Sequence, residues 1–482
     1  MSPAANESDD KSIEDKQICS DCIEEEYLQA KIERNRQMAK CDYCGMRGKT
    51  VSIGDLADDV QRAFGSHYYR TPVDASDFEY LMMKETDYEW EREGQLAVYA
   101  IQEAAHIPDD AAEDVRHVLE GRNYDMDDAA MGGESEFDSD SHYEECTADT
   151  SELHEGWQRF RTSLKTEARL FNRAAEAILD SIFDGLEAHA TRDRKNVIVD
   201  AGPGKQISAL YRARAFQSDE KLEQALKRPD RELGPPPPVA ASAGRMNSRG
   251  ISVFYGATSA AVALAETRPP VGSRVLVGRF GIIRPLRLLD VEALRSIYVA
   301  GSIFNPEHLE RLKKARFLAS LSHQITQPVM PDDETFEYLV TQAIADYLAT
   351  KSVPPVDGII YPSVQNGRSK KNVVLFHKSA RVGDLDIPEG TEIKAHLYEH
   401  SDEGVTPDYW VFESVPPIKE EKNDNDDFFP LSTHFYKQAS HYCDVREPAL
   451  RVDTASLRVH HVERVTFKTY DFKVNRHRTG EK

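Results

Sequence analysis

At 482 residues the chain exceeds one ordinary hydrophobic core, and at ~150 residues per domain its length suggests about three. Lys and Arg number 60 against 83 Asp and Glu, a formal charge of −23, so the surface as a whole is ill suited to coating nucleic acid or an anionic membrane. Hydrophobic residues at 40% and charged residues at 30% place it with soluble globular proteins, and no apolar run approaches the ~18 residues of a membrane span.

The first residues, MSPAANESDDKS, lack the basic and apolar parts of a signal peptide. Six cysteines are too few for a disulfide framework in so long a chain, and a reducing cytoplasm is the expected compartment. Cys19, Cys22, Cys41 and Cys44 form C-x2-C-x18-C-x2-C, while Cys146 and Cys443 stand alone. Two such knuckles can present four thiolates tetrahedrally to one Zn²⁺ at about 2.3 Å. Four cysteines leave no open coordination position, so the expected role of the metal is structural, in a zinc-binding segment over 1–53. A redox pair or ordinary core cysteines are the alternatives. The stretch between the pairs, EEEYLQAKIERNRQMAK, reads as a helix.

From 54 to 120 helical signals dominate. Leu56, Val60 and Phe64 recur at four-residue spacing and define one apolar helix face. Arg62 and His67 form R-x4-H, the spacing used by the HEPN class of helical ribonucleases; such a pair more often sits on a polar helix face. Residues 123–156 hold twelve Asp or Glu and no Lys or Arg, which reads as a solvated acidic loop. Trp157, Phe160, Leu164, Phe171, Ile178, Ile182 and Leu186 then form one stripe, the pattern of a single long helix packed on the helices before the loop. A helical domain over 54–195 is the expectation.

Beyond it the texture changes to short β-branched runs: ISALYRARAF, ISVFYGAT, RVLVGRF, RPLRLLDV, GIIYPS and NVVLFH. They alternate with the helical patterns AAVALAET and FEYLVTQAIADYLAT, so the fold class is α+β. Pro235 to Pro238 mark a loop, and EEKNDNDD reads as a solvated linker. The last segment alternates like paired strands and, from Arg446 onward, carries nine Lys or Arg against five Asp or Glu. This β-rich extension is placed at 386–482.

Several chemistries fail on the residues. GPGK at 202–205 puts Val199 where a phosphate loop needs its first glycine and Gln206 where it needs Ser or Thr. There is no GxSxG, HExxH or GxGxxG. His460 and His461 are adjacent on a strand pattern and face opposite ways, which suits a metal poorly.

The informative stretch runs from LYRAR through AGRMNSRGISVFYGATSAAVALAETRPP. Arg245 lies in a polar turn before a strand, where a guanidinium can meet phosphate oxygens bidentately. Tyr255 ends that strand, and Glu266 ends the short helix that follows. Taken singly, Arg212 and Arg245 could be ion-pair partners, Tyr255 a core aromatic and Glu266 a helix-end charge.

Taken together, four motifs in order resemble the RES-domain family. They are Tyr211-Arg212-Ala213-Arg214, Gly244-Arg245-Met246-Asn247 through Phe254-Tyr255-Gly256-Ala257, Ala263-Leu264-Ala265-Glu266, and Gly358-Ile359-Ile360-Tyr361-Pro362-Ser363. The resemblance covers roughly 205–385, and the cysteine knuckles and helices before it are similar to the HEPN-like amino-terminal domain that accompanies some RES proteins. It implies an ADP-ribosyltransferase-like fold and an enzyme that cleaves the N-glycosidic bond of NAD⁺. Such proteins are typically bacterial toxins, often restrained by an Xre-type antitoxin. By resemblance Glu266 is the catalytic carboxylate, with Tyr255 stacking on nicotinamide or its ribose and Ser363 bonding the ribose or amide. Arg212, Arg245 and Asn247 bind the substrate, whose acceptor is water, phosphate or a protein side chain. The competing readings are a zinc-dependent nucleic-acid or protein binding module with an inactive RES region, and a HEPN-type ribonuclease using Arg62 and His67.

Overall fold

The structure is a computed structural model that describes residues 12–124, 133–167, 171–327, 329–330, 332–363, 365, 370–402, 404–417, 444–466 and 469–477. The chain divides into two units: Met1–Glu155 with Ile297–Ala319, and Gly156–Ser296 with Ser320–Lys482. Among the described residues no helix is long and apolar enough to cross a membrane.

The first unit opens with strand β1 (Gln17–Cys19) and helix α1 (Glu26–Arg34), whose first turn is capped by the Glu25 carboxylate accepting from the Leu28 N–H at 2.7 Å. Strands β2 (Met38–Lys40) and β3 (Arg47–Ser52) follow, and the three form a sheet in the order β1-β3-β2. The stretch between the cysteine pairs is therefore helical only in its first half. Its second half is spent on the hairpin whose turn holds Cys41 and Cys44. Ser52 then caps α2 (Ile53–His67), which buries Leu56, Val60 and Phe64 as their spacing requires. Around that face pack α4 (Ala97–Ala105) and α5 (Asp109–Arg122), whereas α3 (Asp77–Glu85) buries none of its residues.

Part of the acidic segment departs from the expected solvated loop. Residues 125–132 lie outside the described residues. Beyond them β6 (His142–Glu145) pairs with β4 (Tyr68–Arg70) and β5 (Gln95–Leu96). Phe137 and Tyr143 stack at 5.0 Å and both meet Phe64. Arg92 binds Glu134 at 2.7 Å, and Arg116 donates to the Phe137 carbonyl at 2.9 Å. Two aromatic anchors and two arginines offset the repulsion among the acids.

In the second unit the expected single long helix is two, α6 (Ser151–Thr166) and α7 (Arg173–Phe183). The break falls at Phe171, fully exposed with φ +61°, and Asn172 restarts the helix by accepting the Ala175 N–H at 3.0 Å. The partners differ too. Trp157 Nε1 donates to Gln324 at 3.1 Å and the Tyr347 hydroxyl to Asp180 at 2.8 Å, all within this unit. The helical domain expected over 54–195 is thus divided near residue 155.

All six β-branched runs become strands: β8 (Ala209–Phe216), β9 (Phe254–Ala257), β10 (Arg274–Ile282), β11 (Leu286–Asp290), β12 (Gly358–Pro362) and β13 (Lys371–Leu375). With β7 (Ile198–Ala201) at one edge and β16 (Leu450–His461) at the other they form one sheet in the order β16-β10-β8-β9-β13-β12-β11-β7. Pairing is antiparallel throughout except between β11 and β12. The terminal extension is therefore not separate: β16 closes an edge of the main sheet, while β14 (Glu392–Ser401) and β15 (Gly404–Ser414) pair with each other. EEKNDNDD lies outside the described residues. Leu210, Phe254, Leu276, Phe280, Ile360, Val373 and Leu375 build the core. Elsewhere α9 (Ala260–Glu266) packs Val262 and Ala263 on Ala257 and Tyr211. Helices α8 (Asp219–Lys227), α10 (Pro306–Thr326) and α11 (Glu334–Thr350) complete the set used below.

Candidate active site

Helix α9 begins three residues after β9 and lies on Ala257, so its last residue, Glu266, is carried to the end of β12. There Ser363, buried just past that strand, donates its hydroxyl to Glu266 Oε1 at 2.6 Å. Asn372, on the neighbouring strand β13, donates its amide to the same oxygen at 2.8 Å. Glu266 Oε2 receives no hydrogen bond among the described residues. Antiparallel register places Asn372 opposite Tyr361 on one side and Ala257 on the other, so all three side chains share one face of the sheet.

The turn Gly244–Asn247 is held from several directions. Asn247 Nδ2 donates to the carbonyls of Ser242, Ser248 and Ile251 at 2.9, 3.2 and 3.0 Å. Its Oδ1 accepts the Tyr255 hydroxyl at 2.9 Å, and that hydroxyl in turn accepts the Met246 N–H at 3.1 Å. A Cβ on residue 244 would approach the Tyr255 and Asn247 oxygens to 2.7 Å, so only glycine fits there. From α11, Gln342 donates to the Gly244 and Asn247 carbonyls and Thr341 to that of Arg245. The Arg245 guanidinium donates to the Gln327 carbonyl. The amide of Asn247 and the hydroxyl of Tyr255 are thus engaged in the turn, and what Tyr255 has left to offer a ligand is its ring.

Charges tie these pieces together. Burial pushes the Tyr255 phenol up to about 12, against the Met246 N–H and the positive charges of Arg245 and Arg212. Burial also lifts Tyr361 well above the usual phenol range; the fields of Tyr255, Glu266 and Tyr338 add to it and Arg245 opposes it. Tyr361 thus feels the charges of both Glu266 and Arg245, and Tyr255 that of Arg245. Arg212 enters differently. Its neighbour Tyr211 pairs with Ala257, so the pleat sends Arg212 to the opposite face, where its guanidinium lies 5.1 Å over the Phe254 ring. Burial, followed by repulsion from Arg214, pulls it down to about 10, and Nη1 is buried without a hydrogen-bond partner.

Three further residues come with the expected set. Tyr361 stands two residues before Ser363, and period two along a strand could have singled it out. Asn372 and Gln342 carried no signal: one is a lone polar residue in KKNVVLFH, the other a helix position fixed only by the turn it meets.

In the first unit Cys19, Cys22, Cys41 and Cys44 bring their sulfurs within 4.8 Å of one another. The hydrogen-bonding separations are 3.6, 3.5 and 3.8 Å, close to the edge of about 3.8 Å of a tetrahedron with Zn–S bonds of about 2.3 Å. Burial opposes charge on Cys41, yet the N–H groups of Cys44, Tyr43 and Cys19 pull its thiol down to about 7. A soft cation fits this donor set. Arg62 and His67 do not form a pair: Arg62 binds Asp59 at 3.0 Å, and His67 is buried against His308 with ring centroids 6.3 Å apart.

No curated protein and no solved structure matches the chain. Residues 209–397 match the family model of the RES domain, which runs from β8 into β14 and leaves the cysteine knuckles and the helices before it uncovered. The chain therefore carries a RES domain over residues 209–397, and Glu266, Ser363, Arg212 and Arg245 fall inside it.

Proposed function

We propose that the RES domain is an enzyme that cleaves the N-glycosidic bond of NAD⁺ and releases nicotinamide. The observation that carries this reading is Glu266, whose Oε1 is held by the two neutral donors Ser363 and Asn372 and whose charge is felt by Tyr361. Nicotinamide departs as a neutral pyridine, taking the electron pair of the C–N bond, so no general acid is needed. Positive charge then grows on the ribose, as in glycoside cleavage, and a carboxylate fixed in place stabilises it without reorganising. Arg245 suits the diphosphate, each charge-assisted bond contributing ~1.5–3 kcal/mol, whereas Arg212 lies against Phe254 on the other face of the sheet. Tyr255 offers its ring to the nicotinamide ribose while its hydroxyl and Asn247 keep the Arg245 turn in shape.

Water as acceptor makes the enzyme a glycohydrolase, phosphate makes it a phosphorylase, and a protein side chain makes it an ADP-ribosyltransferase. Depletion of NAD⁺ inside a cell would make it a toxin, with an Xre-type antitoxin as the proposed restraining partner, acting in the cytoplasm. The zinc-bound knuckles are proposed to be structural.

The test is incubation of the full chain with NAD⁺ with and without inorganic phosphate, reading nicotinamide and the ribose product. Release is expected in at least one condition, giving ADP-ribose with water or its 1-phosphate with phosphate. Wild-type protein that leaves NAD⁺ intact in both conditions overturns the proposal.

A further inference from the structure

We infer that Asn372 is a positioning residue of the site, acting on the reaction only through Glu266. The inference rests on the NAD⁺-cleaving reading above. Glu266 ends a seven-residue helix and is exposed, a place where a carboxylate ordinarily samples several rotamers. Here Oε1 accepts from Asn372 at 2.8 Å and from Ser363 at 2.6 Å. One donor would let the carboxylate swing about a single contact; two donors on the same atom hold that oxygen from two directions and aim Oε2 at one place.

Asn372 is well placed to hold still. It is 4% exposed, in the middle of three paired strands, with Ala257 and Tyr361 as its cross-strand neighbours. Its neighbour Lys371 bonds Asp290 at 2.6 Å, so the cation beside it in sequence is engaged elsewhere. The donor that reaches Glu266 is consequently neutral. It orients the carboxylate without cancelling the negative charge that the ribose cation needs, which an ammonium or guanidinium at this position would do.

The consequence separates turnover from binding. Asn372→Leu keeps the size of the side chain and removes the donor; kcat is expected to fall roughly 10- to 100-fold, the loss of one hydrogen bond to a charged group, with KM for NAD⁺ nearly unchanged. Asn372→Asp keeps the shape and adds a carboxyl that repels Glu266 when ionised and donates to it when protonated. Its activity relative to wild type is expected to rise as the pH falls. A purely structural asparagine predicts neither behaviour.

Both variants are assayed as the full chain alongside their melting temperatures. A kcat within twofold of wild type for a folded Asn372→Leu overturns the inference, as does a pH-independent activity ratio for Asn372→Asp. Should Asn372→Leu not fold, the ratio for Asn372→Asp decides alone. Should the wild type release no nicotinamide, it is the reaction that is wrong. The positioning claim is then read from the carboxyl-carbon NMR signal of Glu266, assigned by its loss in Glu266→Gln: a shifted signal in Asn372→Asp sustains it, and an unmoved one overturns it.

Discussion

In the first unit four sulfur atoms crowd within 4.8 Å of one another, while in the second one carboxylate accepts two neutral donors on a single oxygen. Both sites gather negative charge, and they handle it in opposite ways. Four thiolates at that separation would repel one another strongly, and backbone N–H groups would relieve only part of it; a bound divalent cation would do the rest and leave no free position. Glu266 keeps its charge, because serine and asparagine donate without neutralising it. The first arrangement is stable once saturated. The second leaves one carboxylate oxygen without a hydrogen bond among the described residues.

That contrast is broken most severely at the knuckles. Removing zinc with a chelator, or by Cys41→Ser, is expected to eliminate about one Zn per chain and to melt the sheet of β1, β2 and β3, since a structural site of this type carries of order 10 kcal/mol of folding free energy. Metal analysis and circular dichroism check it, and a Cys41→Ser protein that keeps both its zinc and its first melting transition contradicts the closed-site reading. At the open site the damage is to rate. Glu266→Gln is expected to lower nicotinamide release by roughly 10²–10³ with little change in melting temperature, because a neutral amide fills the same space and no longer stabilises the ribose cation. A Gln variant within tenfold of wild type would assign the charge stabilisation to another group.

The two sites also differ in how far the sequence discloses them. Each cysteine pair is local, and its spacing alone implies tetrahedral ligation, so the cluster could be read before any fold was known. Glu266, Ser363 and Asn372 are brought together by strand order: β9 and β12 are both neighbours of β13, a fact no local window contains. Glu266 and Ser363 were reachable through motif resemblance, and Asn372 was not. The six strands announced themselves by β-branched runs, but of the edges β7 came from the interval between the expected domains and β16 from the terminal extension. Stripe continuity suggested one helix through Phe171, yet periodicity carries no information on a single left-handed residue in its path. In the acidic segment net charge outweighed the two aromatics, Phe137 and Tyr143, that in fact fix its fold.

A smaller effect is expected at Arg212. Its Nη1 is buried without a hydrogen-bond partner and its guanidinium lies over Phe254, on the face of the sheet away from Tyr361 and Asn372, so it costs the folded protein solvation. Arg212→Met is expected to leave the melting temperature equal or higher and KM for NAD⁺ within about threefold of wild type. Arg214→Ala is the control, since that residue is exposed and paired with Glu232 at 3.0 Å. A KM raised tenfold or more by Arg212→Met and not by Arg214→Ala would bring Arg212 into the binding site.

The smallest effect returns to the first unit, at a buried base. Burial lowers the affinity of His67 for a proton, and His308, Arg316 and Lys313 add repulsion. Its Nε2 has no hydrogen-bond partner among the described residues. The native chain therefore resists a proton that the unfolded chain accepts near the ordinary imidazole value of about 6.5. Stability from this residue is complete above that pH and is lost as pH falls through it toward the lower native value, the direction fixed by the unfolded state binding more protons. His67→Phe fills the space without titrating, so the melting temperature of the first unit should fall less between pH 7.5 and 5.5 in the variant than in the wild type. Parallel melting curves for the two proteins across that range would show that His67 takes up its proton in the folded state as easily as in the unfolded one.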